Sequence, residues 1–246
     1  MDELSQQKVP FFFMIDFLMK NVEIFTENEI NENSLLIDFQ IFKSFNDKEK
    51  DFKNIELKSF PESEESYRKG FDFVQENLRK GNSYLTNYTR KTEIETNLTL
   101  EEIFYRSEAK YKVLYKDQFV FFSPETFIKI IDNQINTQPM KGTIDASVEN
   151  AVEILKNDEK EKAEHYTVVD LLRNDLSQVA DEVKLDYFQR IDFLKTQQKN
   201  LYAMSSEISG KLKPEFQNKI GSIMKALLPA GSILGAPKPK TLEIIL

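Results

Sequence analysis

Two acidic residues in the second half of the chain stand three positions apart, a spacing at which both carboxylates could bind the same cation. Glu161 and Glu164 fall within residues 160–165, which read as part of a helix. Residues three apart on a helix share a face, and two carboxylates held there repel each other unless a cation or a proton lies between them. Mg²⁺ prefers oxygen ligands of this kind. The pair is a candidate metal site, but residues 158–161 also match a capping box, in which Glu161 only closes the helix start.

A lysine and a glutamate sixteen residues apart are further candidates. Lys141 stands between a proline and a glycine after a predicted strand, so a turn can direct its amine into a cavity. A lysine amine becomes a nucleophile only when burial or a neighbouring cation lowers its pKa. Glu125 follows a Ser-Pro pair at a strand end. Burial would raise the pKa of this carboxyl, which could then donate a proton to a leaving group.

A small-residue segment near the end of the chain, residues 229–238, reads Pro-Ala-Gly-Ser-Ile-Leu-Gly-Ala-Pro-Lys. Gly231 and Gly235 allow close approach of the backbone to a ligand, and Ser232 adds a hydroxyl. Lys238 closes the segment with a positive charge. The Gly-x-x-x-Gly spacing alone is typical of an ordinary turn as well as of an anion-binding loop.

Taken together, these segments resemble the chorismate-binding enzymes, the family of anthranilate, aminodeoxychorismate, isochorismate and salicylate synthases. The resemblance runs with gaps from about Phe11 to Leu246, and order and spacing agree across five separate segments. The resemblance implies that Glu164 binds Mg²⁺ directly and that Glu161 binds it through water. It also implies the substrate-binding residues, which are Thr143, Gly231, Ser232, Gly235 and Lys238. His165, which follows Glu164, is interpreted as structural support.

The residue at position 141 narrows the choice within the family. Aminodeoxychorismate synthases carry Pro-Ile-Lys-Gly-Thr here, whereas anthranilate synthases usually have alanine in place of lysine; this chain reads Pro-Met-Lys-Gly-Thr. Ala203 also stands where anthranilate synthases carry a histidine. The resemblance therefore implies component I of aminodeoxychorismate synthase, in the folate pathway. In that chemistry Lys141 attacks C2 of chorismate, Glu125 assists loss of the 4-hydroxyl, and ammonia adds at C4.

Two alternatives stay open. One is another chorismate-using synthase, for anthranilate or isochorismate, and lysine against alanine at position 141 is the feature that discriminates it. The other is an inactive fragment, because the chain stops at Leu246 on an uncapped apolar turn. The family's later strand, substrate-binding arginine and metal-binding helix would follow that point. On this hypothesis we expect the 246 residues alone to be inactive on chorismate, to bind a hydrophobic dye and to unfold with poor cooperativity.

Composition bounds the class of protein. We expect residues 1–246 to form a single chorismate-binding domain, with a lead-in of about 60 residues and a truncated C-terminus. Cysteine is absent, which fits the reducing cytoplasm and means that ammonia would come from a separate glutamine amidotransferase subunit, since those enzymes use a cysteine. The net charge of -8 argues against nucleic acid as a partner, and no apolar run is long enough to span a membrane.

Hydrophobic periodicity and turn residues predict a mixture of helices and strands. Helices are expected over residues 63–81, from 99, near 147, from 158 and over 216–228. Strands are expected over 11–18, 34–42, 83–90 and 183–193, and the four strands between 113 and 137 resemble a meander. This pattern indicates an α+β fold. The family resemblance implies two antiparallel β-sheets packed as a sandwich, with helices on the outer faces.

Overall fold

The computed structural model describes residues 1–31, 34–39, 41–46, 54–196 and 199–246. Within these ranges the α-helices are α1 (Asp2–Gln6), α2 (Glu64–Arg79), α3 (Leu100–Arg106), α4 (Ala151–Asn157), α5 (Glu159–Val179), α6 (Ile220–Leu227), α7 (Gly231–Leu234) and α8 (Lys238–Ile245). The strands there are β1 (Phe11–Ile15), β2 (Val22–Thr26), β3 (Leu35–Phe39), β4 (Phe42–Lys43), β5 (Leu57–Phe60), β6 (Leu85–Thr86), β7 (Glu93–Thr96), β8 (Tyr111–Tyr115), β9 (Phe119–Ser123), β10 (Thr126–Ile131), β11 (Gln134–Gln138), β12 (Met140–Asp145), β13 (Ala180–Leu194), β14 (Leu201–Leu212) and β15 (Gly235–Ala236).

The smaller of the two main sheets has four antiparallel strands in the order β4-β3-β8-β9. Successive side chains of a strand point to opposite faces, so both faces of this sheet can be covered. Leu36 and Leu114 pack against Phe104 of α3 on one face. Leu35 and other buried residues pack on the other face, against the hairpin that β1 and β2 form. The predicted N-terminal lead-in thus supplies a central strand of the sheet.

The larger sheet positions the candidate site. Its strand order is β10-β11-β14-β12, with β13 along the other edge of β14, and every pairing is antiparallel. Helices α5 and α6 cover one face, where Leu172, Leu176 and Ile223 pack on Ile135 and Ile208. The prediction of an α+β fold with antiparallel sheets and helices on their outer faces is confirmed.

Helix α5 begins where the sequence predicts. Asp158 caps it by accepting a 2.8 Å hydrogen bond from the Glu161 amide, and the acidic first turn suits the positive end of the helix dipole. Buried residues recur every three or four positions along the helix, from His165 to Val179, and turn one face onto the sheet. The first two turns of α5 hold the two predicted metal ligands, both partly exposed, beside β12 at the edge of the sheet.

Some predicted elements differ in extent or partner. The four strands between Tyr111 and Gln138 form, but as two hairpins in different sheets, so the prediction of one meander is wrong. Only Leu85–Thr86 of the strand predicted over residues 83–90 forms a ladder, with Gly235–Ala236. The predicted strand over 34–42 includes Gln40, which lies outside the described residues.

Candidate active site

Lys141 lies on β12 and points to the helix that carries the two glutamates. Its Nζ is 3.2 Å from Oε2 of Glu164, and each side chain is about a third exposed. This ion pair joins the predicted nucleophile to one predicted metal ligand, although 23 residues separate them in the chain. The two groups therefore belong to one site that remains open to solvent.

The glutamate pair has a second cation beside it. Lys160 Nζ lies 3.6 Å from Oε1 of Glu161 and 3.6 Å from Oε1 of Glu164. The two carboxylates, Glu164 first, raise the pKa of Lys160. Lys160 was not among the predicted site residues, since a lysine between two glutamates reads as an ordinary helix surface. The two lysines partly neutralise the repulsion between the carboxylates.

Gly142 lets β12 approach α5 closely. Its φ is +89°, and a Cβ placed there would lie 3.0 Å from Oε2 of Glu161 and 3.4 Å from a methyl carbon of Leu155. The structure gives Glu161 this contact with the strand, while the capping of α5 is carried by the side chain of Asp158. The carboxylate of Glu161 therefore faces the same strand as that of Glu164.

Gly142→Ala is expected to destabilise the protein by more than Gly81→Ala. Gly81 also has a positive φ, +72°, but nothing lies within 4 Å of its added Cβ. Alanine at either position incurs about 1–2 kcal/mol of left-handed backbone strain, and at 142 it also displaces Glu161. Urea denaturation of both variants measures the difference in the free energy of unfolding. Equal losses would show that the strand does not press on Glu161.

Glu125 is a carboxyl whose pKa is raised well above its ordinary value. Burial raises the pKa of Glu125 to about 7. The backbone is fixed by Ser123, whose Oγ accepts from the Glu125 amide and donates to its carbonyl, both at 3.1 Å. A carboxyl that is half protonated near neutral pH is suited to general acid chemistry.

A cavity on the other face of the sheet shows which way these residues point. It has a volume of about 690 Å³, and its lining includes Thr126, Met140 and Ser205. Because side chains alternate along a strand, the neighbouring residues face α5 instead, as the contact of Lys141 with Glu164 shows. Glu125 lies in the link between β9 and β10, directly before Thr126, and is partly buried. Thr143, two positions beyond Lys141 on β12, is exposed and pairs with Ala203 of β14.

The predicted anion-binding loop forms a single helical turn, α7, which is held by contacts with Asp175 of α5. The amide of Gly231 donates a 3.2 Å hydrogen bond to Oδ2 of Asp175, and Lys238 Nζ lies 2.8 Å from Oδ1 of the same buried carboxylate. Lys238 also donates to the carbonyl of Leu227 at 2.8 Å. Burial raises the pKa of Asp175, and the hydrogen bond from Lys238 opposes that rise. These two predicted substrate-binding groups are thus occupied by contacts within the protein.

The other members of the loop are held by β6 and the residue after it. Asn87 Nδ2 donates to the carbonyls of Ser232, at 3.0 Å, and Ile233, at 2.6 Å. Gly235 has a φ of +110°, and a Cβ there would lie 1.9 Å from the carbonyl oxygen of Leu85, so only glycine fits. Neither Asp175 nor Asn87 was predicted as part of the site, because both contacts are distant in sequence.

The described structure places the predicted residues in two groups along α5. Glu164 and Asp175 are eleven positions apart, which corresponds to about 16 Å along the helix axis. One group holds Lys141 with the two glutamates, and the other holds the Gly231 turn with Lys238. The roles assigned to these residues in substrate and metal binding stay predictions.

Comparison with known proteins identifies the class of the chain. The model of the chorismate binding enzyme family matches residues 12–246, so the chain belongs to that family. An uncharacterized PabA-like protein of Pasteurella multocida is 46% identical over 245 residues, which cover 99% of this chain and 76% of the relative. A PabA-like protein of Haemophilus influenzae is 46% identical over 241 residues, 98% of this chain and 73% of the relative.

More distant relatives include proteins with assigned reactions. Aminodeoxychorismate synthase component 1 of Escherichia coli is 28% identical over 247 residues, 94% of this chain and 52% of that enzyme. The crystal structure of anthranilate synthase component I from Streptococcus pneumoniae superposes with a TM-score of 0.59 at 21% identity, covering 80% of this chain and 45% of that one. At this identity the superposition establishes the shared fold. Among the described residues no helix is long and apolar enough to cross a membrane.

Proposed function

We propose that this chain carries the chorismate-aminating site of an aminodeoxychorismate synthase component I. The observation that carries the proposal is the position of Lys141. Its amine lies 3.2 Å from Glu164, one of the two carboxylates that α5 presents to β12. An anthranilate-type site has no need of a lysine at this position, whereas a lysine nucleophile must lie beside the bound ring.

The proposed reaction uses Lys141 and Glu125 in turn. The Lys141 amine forms a bond to C2 of chorismate, the ring double bonds shift, and the C4–O bond breaks. Glu125 gives its proton to the departing hydroxyl, which leaves as water. Ammonia then attacks C4, the double bonds shift back and the C2–N bond breaks, which frees the lysine. The carboxylate of Glu125 takes up the proton that the added ammonia loses, so the net products are 4-amino-4-deoxychorismate and water.

Mg²⁺ is the cofactor proposed for the glutamate pair. In the described residues no group of three or more histidine, cysteine, aspartate or glutamate side chains could hold a metal. Glu161 and Glu164 offer two carboxylates close together, each with an oxygen 3.6 Å from Nζ of Lys160. Their chemistry fits, because Mg²⁺ commonly binds one or two carboxylates and completes its shell with water and substrate oxygens. Glu164 would bind the ion directly and Glu161 through water. When bound, the ion supplies positive charge for a substrate carboxylate.

Glu164→Gln is expected to reduce Mg²⁺-dependent amination by at least about a hundredfold, and Glu161→Gln by about tenfold, the size typical of an outer-shell change. The larger effect is assigned to Glu164 because it also contacts Lys141. Titration of Mg²⁺ against the initial rate of each variant measures both losses. Equal losses would contradict the assignment of one direct and one water-mediated ligand.

The reaction itself is tested by identifying the product. The full-length gene product is incubated with chorismate, Mg²⁺ and isotope-labelled ammonium, and the products are analysed by mass spectrometry. The proposal expects a labelled product that keeps the enolpyruvyl group. Labelled anthranilate, which lacks that group, would show that the chain catalyses the anthranilate synthase reaction instead. Unlabelled isochorismate would show that it catalyses the isochorismate synthase reaction.

The source of ammonia is proposed to be a separate glutamine amidotransferase. The sequence has no cysteine to form the thioester that such enzymes require. Glutamine in place of ammonium should therefore give no amination until an amidotransferase subunit is added. Amination from glutamine by the purified protein alone would contradict a separate subunit.

A further inference from the structure

His165 follows the proposed Mg²⁺ ligand and is wholly buried between helix and sheet. Its Nε2 lies 2.6 Å from Oγ of Ser206 on β14, and Ser206 is also wholly buried. The imidazole packs on Phe188 of β13, with the ring centres 5.6 Å apart. A short hydrogen bond between two buried polar groups fixes the helix relative to the sheet, since breaking it leaves Nε2 of His165 buried without a partner.

Ser206 is also hydrogen-bonded to the segment that leads into β12, the strand of Lys141. The amide of Ser206 donates to the carbonyl of Pro139 at 3.1 Å, and its Oγ accepts from the amide of Gln189 at 3.3 Å. Pro139 is two residues before Lys141. The hydrogen bonds thus run from α5, through β14, to the backbone that presents the amine.

The second ring nitrogen of His165, Nδ1, is buried and makes no hydrogen bond within the described part of the chain. The imidazole is therefore tied to the sheet through Nε2 and Ser206.

We propose that His165 is a positioning residue: its bond to Ser206 holds the β12 segment of Lys141 in place against α5, and so sets the Lys141–Glu164 contact. The packing of Gly142 on Glu161 is a further contact at this junction, and it has no directional bond. The consequence for catalysis rests on the proposed function, whereas the positioning of the amine does not.

Substitutions at His165 separate the bond from the space that the ring fills. His165→Gln places an amide group about as far along the side chain as Nε2, so it can still form a hydrogen bond with Ser206. His165→Met fills a similar volume without a group that can form this bond. Ser206→Ala removes the same bond from the other end with a smaller change of volume, and it serves as the second variant if His165→Met fails to fold.

The readout is the rate at which limiting acetic anhydride labels Lys141, compared by peptide mass spectrometry with the exposed Lys129 of the same chain. Loss of the bond should free Lys141 from Glu164 and speed its labelling about two- to fivefold, the factor that corresponds to an ion pair of this exposure. His165→Gln should label like the wild type, while His165→Met and Ser206→Ala label faster. Equal labelling of Lys141 in all variants would overturn the proposal, as would equal effects of glutamine and methionine.

Amination kinetics form the second arm. A displaced nucleophile lowers kcat by about 10- to 100-fold and leaves KM largely unchanged, and His165→Gln should restore the rate. If the wild type does not aminate chorismate but the labelling pattern holds, the proposed function fails and the positioning role stands. If amination is normal in His165→Met, the bond does not position the nucleophile.

Discussion

Lys141→Ala is expected to reduce the formation of 4-amino-4-deoxychorismate by at least about a thousandfold, because it removes the atom that bonds to C2 of the substrate. Covalent capture of chorismate should disappear in the same variant, as read by the intact mass of the protein quenched with acid. Lys141→Arg is the sharper comparison, since it keeps the positive charge near Glu164 but supplies no nucleophilic amine. We expect it to be as inactive as the alanine variant.

The control for this experiment is Lys129→Ala, an exposed lysine on β10. It should leave amination at the wild-type rate. Near-normal formation of aminodeoxychorismate by Lys141→Ala, or substantial activity of Lys141→Arg, would mean that the lysine acts through its charge and not as the nucleophile. The assay uses the full-length gene product, as for product identification.

Glu125→Gln is expected to lower amination about a hundredfold or more, the usual contribution of a general acid. The carboxyl must be protonated to act, and its pKa of about 7 predicts that the wild-type rate falls as the pH rises through that value. Glutamine has no titrating group, so the residual activity of the variant should lose this limb of the pH profile. If the rate of the variant fell in the same way as the pH rises, the fall would be due to a group other than Glu125.

The same carboxyl makes a separate prediction about stability. Its pKa in the folded protein, about 7, exceeds the ordinary value of 4.5, because burial penalises the charged form. Its stabilising contribution is therefore fully present below about pH 4.5 and is lost as the pH rises through 7. Glu125→Gln should unfold near the wild-type temperature at pH 5 and several degrees above it at pH 8. A gain of equal size at both pH values would show that Glu125 is not a buried, titrating acid.

Local signals predicted the helices well. Thr99 accepts from the Glu102 amide and Glu102 accepts from the Thr99 amide, and this capping box opens α3, the helix predicted from residue 99. Ser63 caps α2, and Gly81 follows its end with a positive φ, as expected. These boundaries depend on bonds within a few residues, so the sequence is enough to identify them.

Partners that are distant in sequence could not be read in this way. The turn at Asp132 and Asn133 joins β10 to β11 through residues adjacent in sequence, but which sheet each hairpin enters is decided by packing between layers. The Lys141–Glu164 pair and the Lys238–Asp175 pair link segments brought together only by α5 and the sheet. Family resemblance identified three of these four residues as candidates, but not the contacts between them.

Helix α5 determines the directions in which the two groups of site residues project from its axis. Each residue of an α-helix turns the side-chain direction by about 100°, so eleven residues bring Asp175 to within about 20° of the direction of Glu164. Both groups of site residues therefore lie on the same side of the helix. A residue inserted between them would turn one end by about 100° and move it about 1.5 Å along the axis. The Gly231 turn and the Lys141 strand would then face different directions without any side chain having changed. Single substitutions along the solvent face are tolerable by comparison, and differences in length among relatives are expected outside residues 164–175.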